Sequence, residues 1–342
     1  MKLGFMVGYW GAQPLTGIPE LIAEAEVLGY DSVWTAEAYG SDALTPLAWW
    51  GSETSTIKLG TSICQLSART PTAMAMAALS MDHLSNGRFV LGLGASGPQV
   101  VEGWYGQPYA KPLARTREYV EIIRSVLVRE APVTAAGPHY PLPYPNGTGL
   151  GKPVKSITHP LRADLPIYLA AEGPKNVALA AEIADGWLAI YFSPRVDQFY
   201  RDALAEGFAR PGARHDRDDF EVAATVPVIL HDDVDAAADF LRPVLALYIG
   251  GMGARDVNFH ANVFARMGYE DEVRTIQGLY LDGKKDEAAA IVPRSLIEET
   301  SLVGPAEKIR DELQRWEESA VTTILLYGDR QTLRTMAELV FG

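Results

Sequence analysis

Residues 88–99 read RFVLGLGASGPQ, and Gly92, Gly94 and Gly97 within them have the spacing GxGxxG. In a dinucleotide-binding Rossmann domain this spacing lies in the first strand-to-helix turn and runs directly into a helix, and an acidic residue ends the second strand about 20 residues later. Here the glycines follow the fourth predicted strand, Pro98 comes directly after the last of them, and the acidic residue at that distance lies within a predicted helix. The glycines therefore indicate a different parallel fold.

Eight short β-rich runs recur along the chain, and segments of helical periodicity separate them, which predicts a parallel sheet covered by helices. The predicted strands are Leu3–Val7, Ser32–Thr35, Ile57–Ile63, Phe89–Gly92, Pro166–Ala170, Trp187–Ile190, Glu221–Ile229 and Val321–Leu326. The predicted helices are Ile18–Leu28, Leu44–Ser52, Thr72–His83, Leu113–Val128, Lys175–Ile183, Asp233–Leu247 and Gln331–Val340. This order predicts an α/β fold of the (β/α)8, or TIM barrel, type.

Two tracts do not follow the alternation. Residues 131–165 are rich in proline and glycine, and residues 250–300 have the pattern of extra helices. Without these tracts, the 342-residue chain has the size of one barrel, which takes about 250 residues. We therefore expect a single domain over residues 1–342, with insertions after strand four (131–165) and strand seven (250–300).

The composition is that of a globular protein, with 48% hydrophobic and 21% charged residues. The formal net charge of -13 argues against nucleic acid and anionic membranes as partners, because both are negatively charged. The chain has no apolar run of membrane-spanning length and no recognisable secretory signal, so we expect a cytoplasmic protein. The single cysteine excludes an intramolecular disulfide. The histidines, among them His83, His159 and His260, show no metal-binding spacing, so we expect structural or surface histidines and no metal.

In a barrel, the end of strand four lies at the C-terminal face, where active sites are built. The small residues Ala95, Ser96 and Gly97 would let a flat ligand approach the backbone closely there. For Gly92, the alternative is that glycine suits a crowded barrel interior.

Several segments together carry a family resemblance. They are TAEAYGSD (35–42), LGTSICQLSARTP (59–71), MDHLSNGRFVLGLG (81–94), AAEGPKNVALAAEIADGW (170–187), VGPAEKI (303–309) and VTTILLYG (321–328). Their order resembles the luciferase-like flavin and deazaflavin oxidoreductases. It is most similar to the actinobacterial coenzyme F420-dependent branch, which is related to methylenetetrahydromethanopterin reductase and F420-dependent glucose-6-phosphate dehydrogenase. The resemblance extends from residue 3 to about residue 328.

The resemblance implies that the tricyclic ring of the cofactor lies over the C-terminal mouth of the barrel. The family often has a non-proline cis peptide at the end of strand three, and the matching bond here joins Ser62 and Ile63. Gln65 matches a position that contacts the ring. Arg69 is a candidate contact for the acidic tail of the cofactor.

A second part of the resemblance concerns the cofactor phosphate. Glu172 and Gly173 match positions whose backbone holds this phosphate, and Pro174 and Lys175 open the following helix. The free N–H groups and positive dipole end of a helix N-terminus suit an anion. For Lys175, a role in balancing the phosphate charge stands beside two alternatives, an ordinary surface lysine and a Schiff-base lysine.

The chain departs from the sugar-phosphate dehydrogenase at its catalytic positions. Where that relative has an Asp-His pair after strand two, this chain has Glu37 and Ala38, and where it has a catalytic glutamate in the strand-four loop, this chain has Ala95. We therefore do not transfer that activity. Glu37 should point into the mouth and could bind the ring or donate a proton. The alternative is a structural carboxylate bonded to backbone or arginine, whereas Asp42 should cap the next helix.

Aromatic residues follow several strands and could enclose a planar ring or an apolar substrate. They are Tyr9, Trp10, Trp104, Tyr105, Tyr191 and Phe192. Any single one could instead be packing, but together they favour a hydrophobic substrate pocket.

These observations predict an F420-dependent enzyme that exchanges hydride with a C=C, C=N or C=O acceptor, and relatives suggest a homodimer. An FMN-dependent luciferase-like monooxygenase is the nearer alternative. A barrel lyase or isomerase acting on phosphorylated sugars and a non-catalytic flavin-binding protein are the others.

Overall fold

A computed structural model describes residues 1–253 and 258–342. Its main sheet is a closed barrel of eight strands, each parallel to both of its neighbours, and the barrel closes where the third strand pairs with the fourth. This confirms the predicted TIM barrel. The barrel strands, here numbered 1 to 8 in chain order, are Lys2–Gly8, Ser32–Thr35, Lys58–Thr61, Phe89–Gly94, Ile167–Ala170, Gly186–Ile190, Glu221–Thr225 and Thr323–Leu326.

Helices surround the barrel, and many begin with proline in the first turn, where the missing N–H costs nothing. The barrel helices are Ile18–Val27, Leu44–Gly51, Pro71–Leu84, Pro98–Gly103, Pro112–Val128, Pro174–Ile183, Asp197–Phe208, Ala306–Glu317 and Arg330–Phe341. Most of the predicted helices are correct to within two residues. The helices that begin at Pro98, Asp197 and Ala306 were not predicted.

Strands 3 and 4 approach each other most closely at Gly92. A Cβ atom at this position would lie 1.7 Å from the carbonyl oxygen of Thr61. The Thr61 hydroxyl bridges the two strands, since it donates to the Gly92 carbonyl and accepts from the Gly92 N–H, both at 2.9 Å. Gly92 is therefore a glycine because the barrel interior is crowded, which was the alternative to a ligand-binding role.

A second group of helices packs around its own apolar core, which includes Leu245, Phe264 and Ile297. The predicted helix Asp233–Leu247 forms two helices of this group, because the ring of Pro243 would clash with the carbonyl of residue 239, where the first helix ends. The helices of the group are Val234–Asp239, Arg242–Gly250, Phe259–Arg266, Glu270–Leu281, Lys285–Ala290 and Arg294–Thr300.

A two-stranded parallel sheet, Val228–Leu230 with Leu302–Gly304, connects this group to the barrel. The predicted strand Glu221–Ile229 therefore consists of two strands, which are separated by residues 226 and 227. Residues 254–257, which belong to the predicted insertion 250–300, lie outside the described residues. The division into one domain with two insertions stays a prediction.

Residues 131–165 lie against the helix Pro112–Val128. The carboxylate of Glu118 on that helix accepts the N–H groups of His139 (2.9 Å) and Tyr140 (3.2 Å). This contact brings the segment to the C-terminal mouth of the barrel. Within the described ranges, no helix is long and apolar enough to cross a bilayer, and the cytoplasmic location stays a prediction.

Candidate active site

The predicted site residues all lie where barrel strands end. Glu37 follows strand 2, Ser62 to Gln65 follow strand 3, and Ala95 to Gly97 follow strand 4. Residues 172–175 follow strand 5 and open the next helix. Because the carboxyl ends of parallel strands share one face, the fold brings these segments to the same mouth.

The bond between Ser62 and Ile63 is cis, as the resemblance implied. Directly after it, Cys64 and Gln65 form a short strand that pairs in parallel with the end of strand 4. The Ile63 side chain lies against Gly94, where a Cβ atom would come within 2.9 Å of two Ile63 carbons. The absence of a side chain at position 94 thus leaves space for the bulge that residues 62–65 form at the cis peptide.

Glu37 is held by donors on three sides, and its side chain is 3% exposed. Its carboxylate accepts the N–H of Gln65 at 2.8 Å and that of Ala43 at 3.2 Å. Arg69 Nη1 lies 2.8 and 3.0 Å from its two oxygens. This geometry favours the structural alternative over a proton donor, because two backbone N–H groups and an arginine already occupy both carboxylate oxygens.

Two polar atoms near this network lack partners among the described atoms. The Gln65 amide nitrogen donates to the carbonyls of Glu37 (3.2 Å) and Ala38 (3.1 Å), which leaves Gln65 Oε1 buried and unbonded. Ser67 Oγ is likewise buried and has no hydrogen-bond partner among the described atoms. Since buried polar atoms are normally hydrogen-bonded, these atoms suit a ligand that supplies donors beside the bulge.

A cavity of about 380 Å³ opens next to the bulge. Its lining includes Arg69, Ala95, Tyr109, Arg115 and His139. Burial opposes the charge of Arg69, but the hydrogen bond and charge of Glu37 outweigh it and raise the pKa of Arg69. The cavity therefore contains two arginines beside open space for an anionic group, and Arg69 is the one already paired with Glu37.

Two further segments border the same part of the mouth, the loop after strand 4 (residues 95–97) and the turn after strand 5 (residues 172–175). We call the surface that they form with residues 62–65 the bed. Ser96 has a φ of 60°, in the left-handed region that few residues other than glycine adopt, and Gly97 precedes the helix that begins at Pro98. At the strand-5 turn, Gly173 has no side chain to cap the helix that begins at Pro174. Pro174 has no N–H, and Asn176 and Val177 donate to the Gly173 carbonyl at 3.0 Å, so the Lys175 N–H is the first-turn donor without a bond among the described residues. Lys175 is exposed on its first turn.

The Glu172 side chain contacts the second group of helices. Its Oε1 lies 2.8 Å from Nδ1 of His260, and its carbonyl accepts a hydrogen bond from Arg266 at 2.8 Å. His260 was expected to be a structural or surface histidine. The sequence has no local signal for this contact, because the partners are far apart in the chain.

Tyrosine rings surround His260. The ring centroid of Tyr248 lies 4.9 Å from that of His260, and Tyr191 packs 5.2 Å from Tyr248. Burial raises the pKa of Tyr191, and the nearby Tyr248, Glu172 and Tyr327 raise it further, so the Tyr191 hydroxyl stays protonated. Burial likewise raises the pKa of Tyr327 to about 12. The sequence analysis included Tyr191 but missed Tyr248 and Tyr327.

Not all of the predicted aromatics line the mouth. Phe192 is buried in the barrel core, 5.2 Å from Tyr200 between ring centroids, so its interpretation as a mouth residue was wrong. Trp10 packs against Trp50 at 6.3 Å, and Trp104 is exposed. The remaining members, Tyr9 and Tyr105, follow strands 1 and 4, and the Tyr105 hydroxyl donates to the Ala38 carbonyl at 3.3 Å.

Asp42 acts as expected of a capping residue. Its Oδ1 accepts the N–H of Leu44 at 3.0 Å and that of Thr45 at 2.8 Å. These N–H groups belong to the first turn of the helix Leu44–Gly51.

Residues 4–323 match the family of luciferase-like monooxygenases. A Mycobacterium tuberculosis protein, whose name provisionally describes a coenzyme F420-dependent oxidoreductase, is 59% identical over 343 residues that cover 99% of each chain. The structure of the coenzyme F420-dependent tetrahydromethanopterin reductase of Methanopyrus kandleri has a TM-score of 0.80 at 24% identity and covers 99% of this chain and 98% of its own.

A second solved structure contains a different cofactor. It is the oxygenating constituent of 3,6-diketocamphane monooxygenase of Pseudomonas putida, a type II Baeyer-Villiger monooxygenase in complex with FMN. Its TM-score is 0.68 at 16% identity, and the match covers 99% of this chain and 98% of its own. At these identities, both structures show that the fold is shared.

Proposed function

The chain belongs to the luciferase-like monooxygenase family, and we propose that it is a coenzyme F420-dependent oxidoreductase that exchanges hydride with a small, largely hydrophobic substrate. The observation that carries this proposal is the 59% identity, over nearly the whole of both chains, to a protein with that provisional name. The chain is an oxidoreductase, and the proposal concerns its cofactor and its substrate.

The bed beside the cis bulge would hold the tricyclic ring of the cofactor. Ser62, Ile63 and Gln65 form its wall, and the unbonded Gln65 Oε1 offers an acceptor to a ring N–H. Ala95, Ser96 and Gly97 border the bed with small side chains, which leaves the backbone accessible to a flat group. When bound, the cofactor supplies a two-electron hydride carrier, and the protein supplies its orientation.

The strand-5 turn would hold the phosphate. Gly173 leaves the approach open, because no described atom lies within 4 Å of the position that a Cβ would take there. The Lys175 N–H in the first turn of the helix that begins at Pro174 would supply a donor, the backbone at Glu172 borders it, and the Lys175 side chain adds positive charge.

Arg69 and Arg115 in the neighbouring cavity would receive an acidic tail. This cavity is the feature that favours F420 over FMN, because FMN ends at its phosphate and has no acidic tail. The FMN-dependent monooxygenase remains the second candidate, because the fold is shared with an FMN-bound enzyme and the ring bed would accept either tricyclic ring.

Separate titrations of the purified protein with F420 and FMN, followed by quenching of cofactor fluorescence, test the proposal. We expect saturable quenching of F420 and no saturable quenching of FMN. Oxygen uptake with reduced FMN, together with tight FMN binding, would instead establish the monooxygenase.

The partner proposed for the chain is a second copy of itself. Trp49, Met76 and Leu84 are exposed on the two adjacent helices Leu44–Gly51 and Pro71–Leu84. Large exposed apolar side chains of this kind mark interaction surfaces. Sedimentation equilibrium should give twice the chain mass for the native protein and the chain mass for Trp49→Lys.

A further inference from the structure

Glu172 and His260 form a largely buried pair at the mouth, and their polar atoms are not fully bonded. The side chains are 17% and 21% exposed, and His260 Nδ1 lies 2.8 Å from Glu172 Oε1. The ring is not aligned for a hydrogen bond along this contact, so Nδ1 and the second carboxylate oxygen, Oε2, are buried without a partner in the described part of the chain. The other ring nitrogen, Nε2, is not among these buried, unbonded atoms.

If this pair were purely structural, all of its buried polar atoms would be expected to have hydrogen-bond partners. The helix that carries His260 is already attached to the strand-5 turn, because Arg266 donates to the Glu172 carbonyl at 2.8 Å. The His260 ring also packs against Tyr191 and Tyr248, which attaches this helix further. Because buried polar groups normally find partners, the unbonded atoms of Glu172 and His260 indicate that a ligand group belongs beside them.

We infer that His260, supported by Glu172, exchanges a proton with the substrate oxygen, so that the substrate is a carbonyl compound or the corresponding alcohol. This inference rests on the proposed function and narrows its substrate class from C=C, C=N or C=O to C=O.

The tyrosines beside the pair support an oxygen atom as the reacting group. Burial raises the pKa of Tyr248 as well as that of Tyr191, so both hydroxyls remain protonated and can donate. Their rings form apolar walls, while their hydroxyls and the imidazole are polar. Such a surface suits a small ketone or aldehyde, whose oxygen accepts and whose carbon skeleton is apolar.

The proton and electron balance is simple. During reduction, the carbonyl carbon receives the hydride carried by the reduced deazaflavin, the C=O π electrons move to oxygen, and the oxygen takes a proton from His260 Nε2. The neutral imidazole then regains a proton from solvent, and alcohol oxidation is the reverse. The Glu172 carboxylate lies against Nδ1 and fixes the orientation of the imidazole, which makes Glu172 a positioning residue.

A pH profile can report on this pair because its neighbours titrate elsewhere. The ionisable groups around His260 are Glu172 on the strand-5 turn, Tyr191 after strand 6, Tyr248 on the preceding helix and Arg266 on the same helix. Both tyrosines have a raised pKa, and arginine stays charged. A limb in the pH profile of kcat/KM that changes in Glu172→Gln would therefore report on this pair.

The first test uses the F420-loaded protein and nitrogen-15 NMR of the histidine rings. Cyclohexanone is the probe, and methylenecyclohexane, which has a CH₂ group in place of the oxygen, is its control. We expect only the ketone to shift the His260 signals, which are assigned with His260→Gln. Failure of F420 to bind would refute the proposed function itself, whereas normal F420 binding with no ketone-specific shift at His260 would overturn this inference.

The second test measures turnover of matched ketone, alkene and cyclic imine acceptors with reduced F420. We expect ketone reduction. His260→Ala should lower kcat about 100-fold or more, leave the F420 affinity unchanged and recover activity with added imidazole. Glu172→Gln should lower kcat and shift the pH limb, and His83→Gln, which alters an exposed histidine on the outer helix Pro71–Leu84, should match the native enzyme.

Three results of these assays would overturn the inference. They are turnover of the alkene or imine but not of the ketone, full activity of His260→Ala, and loss of F420 binding in that variant. The last would make His260 part of the cofactor bed.

Discussion

Glu37 and Glu172 are two largely buried carboxylates on the same barrel mouth, and their surroundings differ. Glu37 accepts two backbone N–H groups and contacts Arg69 through both oxygens. Glu172 has one oxygen near His260 and another that is buried and unbonded within the described chain. Residue type and position after a strand therefore do not distinguish a structural carboxylate from one that awaits a ligand. The hydrogen-bond donors around the carboxylate oxygens make that distinction.

This difference divides the mouth into two sides. On the Glu37 side, the carboxylate ties together strand 2, the cis bulge and Arg69, which keeps the proposed ring bed rigid. On the Glu172 side, the tyrosines and His260 come partly from the second group of helices. The barrel thus builds the cofactor side, and the added helices complete the proposed substrate side.

The largest expected effect on stability comes from removing the partner of Glu37. In Arg69→Ala, the buried carboxylate loses its cation, and the free energy of unfolding should fall by about 3 kcal/mol. Chemical denaturation checks this value. Arg274→Ala is the matched control, because Arg274 and its partner Asp271 are both mostly exposed, and this variant should change stability by less than about 1 kcal/mol.

Chemical denaturation of a Glu172 variant tests the same difference on the other carboxylate. Glu172→Gln should change the free energy of unfolding by less than about 1 kcal/mol, because the neutral amide still fits and one oxygen has no partner to lose. A loss as large as that of Arg69→Ala would show that both carboxylates are structural.

A smaller effect is expected at the phosphate turn between the two sides. Gly173 has a φ of -87°, which any residue adopts, so Gly173→Ala should fold normally. Its methyl group would stand in the open approach to the helix N-terminus and should weaken F420 binding about tenfold, or about 1.4 kcal/mol. Gly103→Ala, at another open position away from the turn, is the control for fluorescence titration.

The smallest effect concerns a carboxylate outside the mouth, Glu26, which accepts several hydrogen bonds through its Oε1. Burial acts to raise the pKa of Glu26, but the N–H groups of Ile57, Thr56 and Ser55 and the Thr56 hydroxyl outweigh it and lower the pKa to about 2. Because the folded-state pKa is lowered, this stabilisation is complete above about pH 4.5 and is lost as the pH falls towards 2.

The Tm difference between the native protein and Glu26→Gln should therefore be constant near neutral pH and shrink below pH 4.5. It should be small throughout, because Glu26 is only partly buried. A difference that grows in acid would contradict the assigned bonds.

Much of the barrel could be predicted because its signals are local. Ser32–Thr35 has the predicted bounds, and the helix predicted at Leu113–Val128 is longer by one residue. The family resemblance is confirmed by the match over residues 4–323, and the cis bond that it implied between Ser62 and Ile63 is present. These features depend on neighbouring residues and on motifs that remain contiguous in the chain.

The predictions from sequence failed where contacts between residues far apart in the chain decide how a side chain is placed. Phe192 follows a strand, like the mouth residues, but its ring turns into the core against Tyr200. Glu37 was placed correctly at the mouth, yet its donors Ala43, Gln65 and Arg69 come from three different segments. No pattern within one segment states how many donors a carboxylate will meet.

The sequence by itself determined the alternation of strands and helices, the glycine at position 92 and the motifs of the family, because periodicity, backbone sterics and contiguous spacing act over short stretches of chain. Only the tertiary structure decided that Glu172 meets His260, across 87 intervening residues. That contact forms when a second set of helices packs beside the closed barrel, and the packing depends on apolar surfaces that are complete only after both parts have folded.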